Sequence, residues 1–267
     1  MTIRAFVAAA LAVAAPALAA AAPLQPTGKW IVHFDEAQCV AQRDYGPKGK
    51  PLYLLLKQPA LGGVVQLDVV EKGYAATSQI DGRIQFDDAN PQNASVLSFS
   101  PEDTGTRVRL LNLPLDQFAA ARTAHSIHIE AGALDRSFAL ADMPALIEVM
   151  DKCVADLRRV WNVSETKGGE AQVRQDAEGN LRKLFSSDDY PFVSLVNNDS
   201  GTVKIALLVN EQGRVADCSV IETSGVAMLD AQSCAVVTAR ARFTPAIGKD
   251  GKPTKDSFIE TINWKLG

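Results

Sequence analysis

The sequence is short of positive charge, short of histidine and without a second long apolar run, and each shortage removes a class of function. Lys and Arg number 27 against 31 Asp and Glu in 267 residues, a net charge of −4. The balance is −3 over residues 20–163, zero over 164–183 and −2 over 184–267, with Arg4 supplying the remaining +1. No stretch has the basic patch that neutralises phosphates, which argues against nucleic acid and against anionic lipid as partners. The three histidines are His33, His125 and His128; the last two would point to opposite faces of a strand and so make a poor metal pair. No glycine-rich phosphate pattern occurs, and the four cysteines lack a Cys-x2-Cys knuckle. Ser164-Glu165-Thr166-Lys167 has none of the companion motifs of penicillin-recognising enzymes, and the pairs Asp87-Asp88 and Asp188-Asp189 sit in turn-like settings that suit solvated carboxylates. The expectation is a protein that is not an enzyme and takes no cofactor and no metal.

What is present is enough apolar material, 47% of residues, to bury a core. Ala5 to Ala22 is an alanine-dominated apolar run behind a single positive charge, Arg4, with the small-x-small sequence Ala17-Leu18-Ala19. That pattern predicts a secretory signal peptide over residues 1–19, cleaved after Ala19, and a periplasmic mature chain. The alternative is an uncleaved membrane anchor, since about 20 apolar residues span a bilayer. Export to an oxidising compartment agrees with an even count of four cysteines. Of the three possible pairings, Cys39–Cys153 with Cys218–Cys234 keeps each bridge within one segment and is favoured, against two buried reduced thiols or a zinc site.

Residues 20–163 carry short β-type runs at Trp30–Phe34, Leu52–Lys57, Val64–Val70, Arg83–Phe86, Val96–Ser100, Arg107–Leu111, Ser126–Glu130 and Ser137–Leu140. Gly46-Pro47-Lys48-Gly49, Asp81-Gly82, Asn90-Pro91 and Thr104-Gly105 read as the turns between them, which predicts an antiparallel sheet. The run ends in one helical face, Leu146, Val149, Met150, Cys153, Val154, Leu157, Val160 and Trp161, with Asp142 as N-cap and Pro144 in the first turn. This strand-rich domain closed by a helix has no motif that assigns it a chemistry. Residues 164–183, with Gly168-Gly169 and balanced charge, predict a flexible or loosely helical linker.

From Leu184 the pattern is a hairpin, a helix from about Met228 to Ala241, and a closing strand from Phe258 to Leu266, giving an α+β class for the whole chain. The order of motifs resembles the C-terminal domain of the TonB family of envelope energy transducers. It is carried by Tyr190-Pro191, Gly201-Thr202-Val203, the turn Asn210-Glu211-Gln212-Gly213-Arg214-Val215, Ser224-Gly225, Leu229-Asp230, Arg242-Phe243-Thr244-Pro245-Ala246 and Gly251-Lys252-Pro253. The resemblance covers residues 184–267 and implies a small β-β-α-β domain in a Gram-negative periplasm. It implies a protein or peptide partner in the cell envelope, such as an outer-membrane transporter, whose extended segment adds to a sheet edge. The edge so implied is the last strand, Phe258, Ile259, Glu260, Thr261, Ile262, Asn263, Trp264 and Lys265, binding through its backbone while Ile262, Trp264 and Leu266 belong to the core.

Two features depart from the energy-transducing members. Those keep an uncleaved N-terminal helix with a polar Ser/His face and a long Pro-rich spacer; residues 5–22 hold neither Ser nor His, and a strand-rich domain stands in the spacer's place. Two further alternatives follow. A membrane-anchored transducer would retain residues 1–19, and a hydrolase in the first domain would show a concave pocket with convergent polar groups.

Overall fold

A computed structural model describes residues 22–163, 173–181 and 183–266. The expected signal peptide, residues 1–19, lies wholly outside the described residues.

Nine strands form one antiparallel sheet: β1 (Ile31–Phe34), β2 (Cys39–Asp44), β3 (Leu52–Gln58), β4 (Val64–Lys72), β5 (Ser78–Phe86), β6 (Gln92–Phe99), β7 (Thr106–Pro114), β8 (Ser126–Ala131) and β9 (Leu134–Ala139), with a single-turn helix α1 (Leu115–Phe118) between β7 and β8. The order across the sheet is β1-β2-β3-β4-β7-β6-β5-β8-β9. It curls as a half-barrel around α2 (Met143–Val160), because every second residue of the strands is apolar and must leave water. Leu54, Leu67, Ile84, Leu111, Ile129 and Phe138 meet Leu146, Met150, Cys153 and Leu157 of the helix in one core. The segment before β1 stitches the two ends of the sheet: Leu24 N–H donates to Ser137 O and Thr27 N–H to Asp44 O. Arg43, 4% exposed, reinforces that seam by donating to the carbonyls of Gly28 and Ala141.

Several expectations are corrected here. The stretch Cys39–Asp44 is a strand that the sequence reading passed over. Asp81-Gly82 lies in the middle of β5 rather than in a turn: a Cβ on Gly82 would fall 2.6 Å from Glu130 O and 2.9 Å from Val96, so this glycine serves a close approach between strands. In α2, Val149 and Val160 are exposed and their places in the core go to Met143 and Ile147. Asp142 holds the N-cap position in a left-handed conformation (φ 64°) but its side chain makes no capping bond.

The remaining elements build a second core. They are β10 (Val173–Gln175), α3 (Phe192–Asn197), β11 (Gly201–Val209), β12 (Val215–Glu222), α4 (Ala227–Arg240), β13 (Ala246–Gly248), β14 (Pro253–Thr254) and β15 (Asp256–Trp264). Val203, Ile205, Leu207 and Val209 of β11 pack against Leu229 and Val237 of α4. The expected linker is corrected in its second half. β10 pairs antiparallel with β13, and Ala177 and Leu181 are buried in the second core, so burial of two apolar side chains orders a stretch whose composition reads as a spacer. The first half, residues 164–172, lies outside the described residues.

The two cores dock through side chains. Val226, at the N-cap of α4, offers no capping group. The helix's first N–H groups are instead met from the large sheet: Ala227 N–H donates to Ser95 Oγ (2.9 Å) and Met228 N–H to Gln79 Oε1 (3.1 Å). Asn162 Nδ2 donates to Lys255 O (2.6 Å), and the Lys255 ammonium sits 4.7 Å from the centre of the Trp161 ring.

Candidate functional site

The second sheet has the order β12-β11-β15, hence two edges. The β12 edge is covered. Gly63, at φ +142°, packs so closely that a Cβ would fall 2.0 Å from Ile221 O, and Ile221 is the residue a bulge leaves out of the β11–β12 register. Gln38 Nε2 donates to Asp217 Oδ1 across the same junction at 2.7 Å. Burial there pushes the Asp217 carboxyl above its ordinary pKa, as it does Asp68, which sits beneath Lys57 Nζ at 3.0 Å.

The β15 edge is open. All of Asp256–Trp264 is in register with Val209–Gly201 of β11, and among the described residues no strand lies on its other side. Thr261 N–H donates to Glu260 Oε1 (3.0 Å) and Ser257 N–H to Asp256 Oδ1 (2.8 Å), so these amides point away from β11. Antiparallel alternation then turns the main-chain groups of Ser257, Ile259, Thr261 and Asn263 outward. Carboxylates that occupy outward N–H groups, in a strand with Glu260 on it, are a guard against indiscriminate pairing. Asp256 also accepts the Ala177 N–H at 2.8 Å, and its carboxyl is pushed up by burial.

The side chains of the predicted edge divide by face. Ile262 and Trp264 are core, and Phe258 meets Phe243 edge-on with ring centres 5.1 Å apart. Ile259, Thr261 and Asn263 are exposed on the opposite face, Glu260 is half-buried, and Lys265 is exposed just past the strand. Trp264 is the anchor: its Nε1 donates to Ser233 Oγ (2.9 Å), and Phe185 and Tyr190 stand edge-on to its ring. The segment bearing those two rings is tied to α4 by Asp189, which receives both guanidinium arms of Arg240 at 2.7 and 2.8 Å and the Ser186 N–H at 2.8 Å. The Arg240 hydrogen bonds, with those from Ser186, hold the Asp189 pKa down to about 2.

Sequence reasoning missed two parts of this region. The helix α3 leaves Phe192 78% and Val196 63% exposed, although its spacing gave no amphipathic signal over so few residues. The side-chain guards on Ser257 and Thr261 could have been suspected from the acidic residue that precedes each.

Among the described residues the core of the half-barrel is filled by its own side chains. The void inside its core is about 10 Å³, lined by residues such as Leu54, Leu67, Phe118 and Met143. A polar cleft of about 790 Å³ lies outside the half-barrel, where β5, β6 and β8 meet the start of α4. Within it Arg83 pairs with Glu130, and Asp230, 1% exposed, accepts from Thr223, Ser224 and Asn112. Among the described residues no helix is long and apolar enough to cross a membrane.

Both disulfides are formed, Cys39–Cys153 between β2 and α2 and Cys218–Cys234 between β12 and α4.

Residues 187–266 match the family model described as Gram-negative bacterial TonB protein C-terminal, a span of under a third of the chain. The match covers the hairpin, helix and closing strand around the open edge. No curated protein was found to match the chain.

Proposed function

We propose that this protein is a non-enzymatic, exported envelope protein whose C-terminal module captures an extended peptide by adding it as a strand to β15. The partner class is the N-terminal segment of an outer-membrane transporter, which places the protein in TonB-dependent transport across the outer membrane. The observation that carries the reading is the inequality of the two sheet edges: the first domain covers β12 and leaves β15 open, with the outward Ser257 and Thr261 amides held by the carboxylates of the residues before them. An incoming strand replaces those carboxylates with carbonyl oxygens, so main-chain bonds supply affinity, and the exposed Ile259 supplies an apolar contact for a partner side chain.

The test is a titration of the full mature chain with synthetic transporter N-terminal peptides, followed by amide shifts. Shifts concentrated along Phe258–Lys265 support the reading. Their absence there, with or without shifts elsewhere, overturns it. Ile259→Pro is the informative variant, because it removes an outward N–H that the β11 ladder does not use; it is expected to abolish binding and leave the fold in place.

The same reading gives the mature chain Ala20 as its first residue. N-terminal sequencing of envelope material that began at Met1 or Thr2 would instead establish the anchored form.

A further inference from the structure

The half-barrel has an edge of its own at β1, and the residues there are unusual for an edge. Among the described residues β1 pairs only with β2. It is short, but Ile31 and Phe34 are each 57% exposed, where edge strands normally carry charge or are covered. The register with β2 fixes the faces. Val32 lies opposite Ala41 and Phe34 opposite Cys39, both fully buried, so Trp30, Val32 and Phe34 face inward and Lys29, Ile31, His33 and Asp35 face outward.

We infer that β1 is a self-complementary interface at which a second copy of this chain pairs antiparallel across a two-fold axis, joining two half-barrel sheets into one. A two-fold axis perpendicular to a continuous sheet keeps inward faces inward, so only residues of the same parity can stand opposite. Two registers centre on this strand. In the first, Val32 meets its own copy, and the flanking pairs are Ile31 with His33, Trp30 with Phe34 and Lys29 with Asp35, each occurring twice. In the second, His33 meets its own copy, Val32 faces Phe34, Ile31 faces Asp35, Trp30 faces Glu36 and Lys29 faces Ala37. The first register sets Phe34 against Trp30 and makes two Lys–Asp pairs; the second pairs Val32 with Phe34 but sets Ile31 and Trp30 against carboxylates and gives Lys29 no opposite charge. Charge and ring complementarity therefore select the Val32-centred register and identify the partner as the protein itself. A contact confined to one short strand is well below the area of a stable dimer, so the association is weak and concentration-dependent.

The experiment is sedimentation velocity on the full mature chain over a concentration series reaching about 0.5 mM, a range suited to a weak dimer. The expected result is a monomer–dimer equilibrium. Lys29→Asp and Asp35→Lys, both at exposed positions, should each weaken the dimer about ten-fold or more, and the double variant should restore it. Val32→Cys should cross-link to its own copy under mild oxidation, whereas His33→Cys should not. A chain monomeric throughout, a dimer indifferent to both charge changes, or cross-linking at His33 in place of Val32 would each overturn the proposal. None of these outcomes bears on β15, so the two readings fail separately.

Discussion

Gly63 lies against the backbone of Ile221, so close that no side chain fits between the loop before β4 and the edge of β12. The backbone at Gly63 is also in a conformation (φ +142°) that other residues rarely adopt. With the Gln38–Asp217 hydrogen bond, this contact covers the β12 edge of the second sheet.

Replacing Gly63 should therefore loosen the docking of the two domains without unfolding either. Gly63→Val is expected to cost about 2–4 kcal/mol of stability, through strain and overpacking together. Hydrogen exchange should quicken along β12 and stay unchanged along β15. Gly28→Ala, where a Cβ meets nothing within 4 Å, is the control and should change little.

The carboxylate of Glu260 holds the Thr261 N–H that the proposed incoming strand would need. Glu260→Ala should tighten peptide binding by about 3-fold, since one modest hydrogen bond no longer has to be exchanged. Fluorescence anisotropy with a labelled peptide measures it, and weaker binding would show that Glu260 contacts the partner rather than guarding the edge.

Asp189 sets a pH dependence. Its folded pKa of about 2 lies below the ordinary carboxylate value of 3.8, so the stabilisation it provides is complete above that value and is lost as pH falls from 3.8 through about 2. Denaturant titrations of the parent and Asp189→Asn should differ by a constant amount near neutrality and converge in that acidic window. A difference that persisted unchanged at the lowest pH would assign the effect to packing instead of charge.

The two disulfides should contribute unequally. By the chain-entropy model, closing 114 residues with Cys39–Cys153 gives about 5 kcal/mol and closing 16 with Cys218–Cys234 about 3 kcal/mol. Paired Cys→Ala variants, compared by denaturant unfolding of each core, should show the larger loss in the half-barrel.

The parts of this architecture that announce themselves in the sequence are those where one face is wet and the other dry. Alternation marks Ser126–Glu130, and steps of three and four mark α2. β2 was hidden because Arg43, an inward-facing residue of that strand, is a buried cation that spends its charge on the carbonyls at the seam, which breaks the apolar pattern. Gly82 misled because close packing and a turn both call for a missing Cβ, and only the neighbouring Glu130 carbonyl distinguishes them. The β15 edge follows from the family resemblance, but the covering of β12 could not be read. It depends on how two separately legible cores meet, through Ser95, Gln79 and Gln38, whose roles leave no local pattern.

The connectivity of the two bridges has a consequence for how the chain matures. Cys153 is the next cysteine after Cys39, and Cys234 the next after Cys218. On the proposed export route, a chain threaded from its N-terminus into an oxidising space presents each thiol's proper mate as the next one to arrive. An oxidase that joins neighbours in order of appearance makes the native pairs directly, and no reshuffling enzyme is needed to correct them.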